Sequence, residues 1–141
     1  MHIKLTNGQP EIYSIGQLRR DNPQVSFPKV PTDALLAEYG VYPYTRPAQP
    51  SVDWLTSKVV DGSFEKDING NWVQPYIVEQ LPVADAQQNV RNQRDNLLQQ
   101  TDWMALSDVA MSPAMASYRK ALRDVTLQSG FPYNVVWPTK P

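Results

Sequence analysis

Two acidic side chains, Asp102 and Asp108, come nearest to a catalytic pair in type and spacing. Carboxylates this close in sequence could meet across a loop and share the acid and base roles of a glycan hydrolase. Both lie in a stretch that reads as a loop, where aspartate more often hydrogen-bonds the local backbone. We therefore expect no catalytic residue and a protein that is not an enzyme.

The composition excludes most other chemistries. The 141 residues include no cysteine and one histidine, His2, so we expect no thiol nucleophile, histidine triad or zinc site. The six glycines are scattered and form no phosphate-binding loop, and the residues around Gly70 lack the alternating carboxylates of a calcium loop. We expect no metal, no cofactor and no small-molecule substrate.

The charge balance bears on the kind of partner. The chain has 13 Lys and Arg residues and 14 Asp and Glu residues, so it has no excess of positive charge for binding nucleic acid. The first ten residues lack the apolar core of a signal peptide, and no stretch has the roughly 18 apolar residues of a membrane span. We expect a soluble protein with neither a nucleic-acid nor a membrane partner.

Proline divides the chain into two parts. Nine of the 13 prolines lie at or before Pro82, and this predicts short elements in the first part. We expect a strand over 11–13, a helical turn over 14–20, and a short helix after Thr32 or Asp33 that ends at Gly40.

Residues 51–81 show the pattern of strands. Side chains alternate from Val52 to Val60 with a period of two, which is typical of a strand. Asn69-Gly70 then lies between two further potential strands, and this pair favours a tight hairpin turn of type I′. We expect a small antiparallel sheet.

Helical periodicity begins after Pro82. Apolar residues recur at helical spacing from Val83 to Gln100, and Ser112-Pro113 begins a second helix that Gly130 stops. The predicted fold is α+β: a small antiparallel β-rich module over residues 1–82 and an α-helical hairpin over residues 83–141.

Charged residues on the two helices could serve either of two purposes. Salt bridges of Arg94 with Asp124 and of Arg123 with Asp95 would set the register of the hairpin. The same arginines could instead form a basic stripe for the carboxylates of a partner. We favour the salt bridges.

Aromatic side chains are the stronger indication of function. Tyr42, Tyr44 and Trp54 crowd a proline-rich stretch, and Trp137 lies in a C-terminal tail that also contains prolines. Some of these rings would pack in the protein's own core. The others would form surplus apolar surface, which usually marks a partner site, so we predict that these four residues bind another protein.

The second part of the chain carries a specific combination of motifs. It contains RxxRDxLLxxTDW over residues 91–103, YRxxLRDV over residues 118–125 and GFPYNVVWP over residues 130–138. Together they resemble the C-terminal signature of the tail assembly chaperones, or tail fibre assembly proteins, of tailed bacteriophages. The first half is similar to the leader domain that often precedes this signature.

The resemblance implies a non-enzymatic assembly factor. Such a protein binds a tail fibre or other tail protein in the host cytoplasm and promotes its folding, trimerisation or attachment, in some systems staying bound in the virion. We expect Trp103, Tyr118 and Trp137 to organise the helical module, and Arg94, Asp95, Arg123 and Asp124 to fix its hairpin. The alternative is a permanent structural component of the virion tail, baseplate or fibre.

Overall fold

Most of the strands lie in the first half of the chain and the two long helices in the second, in a computed structural model that describes residues 1–141. The strands are β1 (His2–Thr6), β2 (Gln9–Ile12), β3 (Val41–Thr45), β4 (Ser57–Asp61), β5 (Glu65–Lys66), β6 (Trp72–Val73) and β7 (Tyr76–Gln80). The helices are α1 (Ile15–Asp21), α2 (Asp33–Glu38), α3 (Val83–Gln99) and α4 (Pro113–Arg123), with 3₁₀ turns at Asp102–Ala105 and Asp124–Leu127. The predicted α+β class is confirmed. None of the helices has both the length and the apolar character that crossing a membrane requires.

Contacts divide the chain into two compact units. The first unit comprises residues 1–50 and 59–77, and the second comprises residues 51–58 and 78–141. Two of the three boundaries, after Lys58 and after Ile77, fall within strands β4 and β7, and the third follows Pro50. The predicted domains, 1–82 and 83–141, stay a prediction, because a partition by contacts does not show independent folding.

The first unit is built on a five-stranded sheet with the order β2-β1-β3-β6-β5. Neighbouring strands are antiparallel except β3 and β6, which pair in parallel with Tyr44 opposite Trp72. The parallel pair departs from the antiparallel sheet that we predicted, and it is possible because a long connection links these two strands. Leu18 of α1, Leu36 of α2 and Val41 of β3 form the buried cluster of this unit.

Both short helices begin and end where the sequence predicts. The Ser14 hydroxyl accepts a hydrogen bond from the Gln17 N–H at the start of α1. The Thr32 hydroxyl accepts from the Leu35 N–H at the start of α2. Gly40 follows α2 with a φ of 70°, a left-handed conformation that glycine adopts without steric cost.

The tightest hairpin turn lies at Asn7-Gly8 rather than at Asn69-Gly70. Asn7 and Gly8 have φ values of 52° and 80°, as a two-residue type I′ turn requires. The predicted hairpin at Asn69-Gly70 is present between β5 and β6, but only Gly70 has a positive φ. Its loop is wider because the Asp67 carboxylate accepts hydrogen bonds from the backbone N–H groups of Asn69 and Asn71.

The predicted strand over 52–60 forms only in part. Strand β4 begins at Ser57, and the residues before it form a turn. In this turn the Asp53 carboxylate accepts from the Leu55 N–H, and the Asp53 carbonyl accepts from the Thr56 N–H. An aspartate side chain competes in this way with the strand ladder for backbone donors.

Helix α3 of the second unit matches the predicted helix, and α4 begins where predicted. Helix α4 ends at Arg123, before the 3₁₀ turn at Asp124–Leu127, rather than continuing to Gly130 as predicted. The Ser112 hydroxyl accepts from the Met115 N–H, and Pro113 occupies the first turn of α4. Met115, Tyr118 and Leu122 of α4 form a buried cluster. Several partly buried residues pack against it: Leu97, Leu98, Met104, Met111 and Trp137. Packing between the two helices is therefore concentrated at the C-terminal end of α3.

The loop between β5 and β6 allows a test of its anchoring aspartate. Hydrogen bonds, first of all from the Asn71 backbone N–H, hold the pKa of Asp67 below its ordinary value of 3.8. The contribution of this carboxylate to stability is therefore present above pH 3.8 and lost as the pH falls through its lower folded-state pKa. NMR titration should show the amide signals of Asn69 and Asn71 shifting with a midpoint below pH 3.8. In Asp67→Asn this shift should vanish, and amides that titrate at or above pH 3.8 in the natural chain would contradict the assignment.

A candidate protein-binding surface

An arginine on α4 joins the end of α3 to the loop that follows it. Nη1 of Arg119 donates to the Leu98 carbonyl at 3.0 Å and to the Thr101 hydroxyl at 2.6 Å. Nη2 of the same side chain donates to Oδ1 of Asp102 at 2.8 Å. Thr101 is completely buried and its hydroxyl donates to the Leu98 carbonyl, while the Arg119 side chain is only 12% exposed. We call this set of contacts the Arg119 network.

The chemistry of a helix end explains why arginine suits this position. The last carbonyls of α3 have no partner within the helix, and they carry the negative end of the helix dipole. The Arg119 guanidinium donates to one of them, the Leu98 carbonyl, which also accepts from the N–H and hydroxyl of Thr101. Its positive charge is favourable at this end of the dipole, and its planar fork reaches several acceptors together. The Arg119 network therefore fixes where α3 ends and the direction in which the chain leaves it.

The loop after α3, residues 102–111, is folded rather than extended. Its 3₁₀ turn begins with a hydrogen bond from the Met104 N–H to the Thr101 carbonyl at 3.1 Å. Met104 and Met111 pack against the buried cluster of α4 and anchor the loop from inside. Trp103 and Leu106 face outward, with exposed fractions of 56% and 57%. The loop thus presents two large apolar side chains on an anchored backbone.

The salt bridges predicted between the helices do not form. Arg94 pairs with its neighbour Asp95 at 2.7 Å, and Asp124 pairs with Lys120 at 2.8 Å. Arg123 is exposed and makes no salt bridge. The sequence pattern places these residues on helices but does not fix how the helices rotate about their axes, and the rotation brings Arg119 to the junction instead.

The residues expected to organise the helical module differ in burial. Tyr118 is buried in the α4 cluster, and Trp137 packs against the same cluster from the C-terminal tail. Trp103, in contrast, lies on the surface. Its side chain is therefore free to contact another molecule. The exposure of Trp103 therefore corrects the expectation that this side chain helps to hold the helical module together.

The C-terminal tail is also held in place. The Tyr133 hydroxyl donates to the Leu81 carbonyl at 2.6 Å. The Gln128 side chain bonds both the N–H and the carbonyl of Val136 at 2.8 Å. A side chain at Gly130 would overlap the Asn134 carbonyl, so only glycine fits the turn that starts there. These contacts position Trp137.

The aromatic residues of the first unit fall into a buried and an accessible group. Tyr44 is 6% exposed, with the Phe64 ring edge-on at a centroid distance of 5.0 Å, so it is a core residue with no surface to offer. Tyr42 is partly exposed and lines an open groove of about 370 Å³ together with Pro43 and Trp72. Sequence reasoning did not single out Trp72, whose ring lies beneath the Lys66 ammonium at 5.3 Å.

Trp54 belongs to the second unit and is 59% exposed in the turn that Asp53 closes. Of the four residues predicted to bind a partner, Trp54 is the most accessible, Tyr42 and Trp137 are partly so, and Tyr44 is not. That Tyr42, Trp54 and Trp137 bind a protein stays a prediction.

The arrangement of acidic residues offers little to catalysis. Asp102, one member of the candidate carboxylate pair, is held by Arg119 rather than by Asp108. No three acidic or histidine side chains gather in a group that could hold a metal ion. The geometry of the second unit favours contact with an apolar surface.

Comparison with known families bears on the same residues. Residues 87–141 match the family of phage tail assembly chaperone proteins. The resemblance noted in the sequence is confirmed over this segment, which contains the Arg119 network, the loop with Trp103 and the C-terminal tail. No curated protein and no solved structure matches the chain. The match supports a role in phage tail assembly, and the matched family suggests a role that is not enzymatic.

The Arg119 network predicts a specific loss of stability. Arg119→Met would leave the Leu98 carbonyl and the Thr101 hydroxyl without their charged donor, so the free energy of unfolding should fall by about 2 kcal/mol. Arg119→Lys should lose only about half as much free energy of unfolding, because an ammonium keeps the charge but lacks the planar fork that reaches all three acceptors. Chemical denaturation followed by circular dichroism measures both.

Arg123→Met is the matched control, since Arg123 lies one turn further along α4 and is exposed. Its effect should stay within about 0.5 kcal/mol. Equal losses for Arg119→Met and Arg123→Met would show that the Arg119 network does not stabilise the junction.

Proposed function

We propose that this chain is a tail assembly chaperone that binds a tail fibre protein, or another tail protein, before that protein has completed its own assembly. Binding covers apolar surface on the immature partner and promotes its folding, trimerisation or attachment. The observation that carries this proposal is the exposure of Trp103 and Leu106 within the segment that matches the chaperone family.

Energetics supports a binding role for these two residues. Moving a large apolar side chain from water into an interface contributes roughly 1.5–3 kcal/mol. Trp103 and Leu106 each have more than half of that surface still in water. Aromatic anchors of this kind supply much of the affinity at protein interfaces. Because Met104 and Met111 already hold the loop, little further ordering is needed when a partner binds.

The charge of the loop indicates which kind of partner surface would complement it. Residues 102–111 contain no lysine or arginine, and Asp102 is neutralised by Arg119. Asp108 is exposed and forms no salt bridge. An apolar patch bordered by basic side chains on the partner would therefore complement this loop.

An immature fibre protein has the kind of surface that needs such cover. Before its chains come together, it exposes apolar side chains and unpaired strand edges, and both promote aggregation. A small protein with a fixed apolar loop can bury the side chains until the correct contacts replace it. We propose that Tyr42, Trp54 and Trp137 add further contacts, with no nucleic acid, membrane or small-molecule substrate involved.

Co-expression tests the proposal directly. The tail fibre protein of the same phage is produced alone, with this chain, or with the double variant Trp103→Ser and Leu106→Ser. The natural chain should raise the yield of soluble, trimeric fibre, and the variant should lower that yield towards the level of the fibre alone. Native gel electrophoresis and light scattering measure the trimer.

The matched control removes two exposed apolar side chains of the first unit, Val25→Ser and Val30→Ser. This variant should support trimer formation as the natural chain does. Equal trimer yield with and without the natural chain would refute the chaperone role. Mass spectrometry of purified virions then separates a released chaperone from a permanent tail component, which would be present in stoichiometric amounts.

A further inference from the structure

Helix α3 has an unusual surface composition. Eight of the fourteen residues from 87 to 100 carry side-chain amides: Gln87, Gln88, Asn89, Asn92, Gln93, Asn96, Gln99 and Gln100. The exposed face of a helix more often carries charged side chains that pair along the helix. An uncharged face rich in donors and acceptors is suited to a partner with free donors and acceptors of its own.

Four of these amides follow one line along the helix. Asn89, Gln93, Asn96 and Gln100 are spaced by four, three and four residues, which places them on a single face. We call them the amide stripe. At its first position, Nδ2 of Asn89 donates to the Leu55 carbonyl at 3.0 Å. Leu55 lies in a non-helical segment of the same unit, so the stripe already binds main chain at one end.

The rest of the amide stripe is unoccupied by the chain itself. Gln93, Asn96 and Gln100, together with Gln99, line an open groove of about 370 Å³. The only side-chain hydrogen bonds of the α3 amides are those of Asn89 to Leu55 and of Gln88 to Asn92. Gln93, Asn96 and Gln100 therefore offer their donors and acceptors to solvent.

A second contact in the same unit shows what such an amide can bind. Nε2 of Gln128 donates to the Val136 carbonyl, and the Val136 N–H donates to Oε1 of Gln128, both at 2.8 Å. The side-chain amide thus pairs with main chain as a neighbouring strand would. Glutamine and asparagine along the stripe can repeat this contact on another chain.

We propose that the amide stripe binds the main chain of an extended segment of the partner tail protein. This inference rests on the proposed function and adds how the partner is recognised. An extended segment that has not yet joined a sheet has free N–H and carbonyl groups, whatever its side chains are. Recognition through main chain selects for the unfinished state, because those groups become paired once the sheet forms.

Other occupants fit the groove less well. A helix offers no free main-chain groups along its length, because they are paired within the helix. Nucleic acid would need lysine or arginine for its phosphates, and the groove is lined by amides alone. An extended polypeptide is therefore the occupant that complements the stripe.

Peptide binding to the full-length chain tests the inference. Overlapping peptides of roughly a dozen residues that span the tail fibre protein are screened by fluorescence anisotropy. The tightest binder is then remade as two peptides, one with N-methyl groups on the odd-numbered residues and one with N-methyl groups on the even-numbered residues. These are the two phases of methylation. Methylation in one phase should weaken binding about tenfold and in the other phase only slightly, because alternate N–H groups point to opposite sides of a strand.

Matched variants locate the site on α3. Asn96→Ala with Gln100→Ala should weaken the same peptide about tenfold, since each lost hydrogen bond to main chain costs affinity. Gln88→Ala with Asn92→Ala removes two amides outside the stripe and should leave binding within about twofold. Alanine is the best helix former, so both variants keep α3.

The outcomes separate this inference from the proposed function. Binding unchanged by N-methylation in either phase, or by Asn96→Ala with Gln100→Ala, would overturn the inference. If no peptide binds while the whole fibre protein still does, the inference fails and the proposed function stands. If neither the peptides nor the fibre protein bind, both fail.

Discussion

The contact of the Arg119 guanidinium with the end of α3 is the interaction on which the second unit depends most. Three acceptors from residues 98, 101 and 102 meet one side chain there. The junction would otherwise bury a threonine hydroxyl and a helix-terminal carbonyl with fewer partners, which is costly in a low-dielectric setting. By satisfying them, Arg119 determines the direction of the loop and hence the place where Trp103 and Leu106 emerge.

The loop itself combines rigidity with exposed apolar surface. Its two methionines turn inward and its tryptophan and leucine turn outward, so packing and binding use different side chains of one short segment. Exposed apolar groups are a liability for a protein by itself, because they favour aggregation. Their presence on an anchored loop within the family-matched segment is understandable if a tail protein covers them during assembly.

Local signals in the sequence predicted the elements well. Ser14, Thr32 and Ser112 all cap helices, since capping needs only a hydroxyl and a few following residues. Features that depend on distant residues were not predictable in the same way. The missing salt bridges of Arg94 and Arg123 depend on how two helices are rotated, and the burial of Tyr44 depends on Phe64, which comes from the segment before β5. The loop at Asn69-Gly70 shows a third case, because the Asp67 side chain overrides a strong turn preference.

We propose that the loop held by the Arg119 network contacts a tail protein during assembly. Site-specific photo-crosslinking in phage-infected cells tests it most directly, with a photoreactive amino acid placed at Leu106 and, as control, at the exposed Val30 of the first unit. We expect a crosslink from position 106 to a tail protein, identified by mass spectrometry, and none from position 30. Absence of a tail-protein crosslink at 106, or equal crosslinking at both positions, would contradict it.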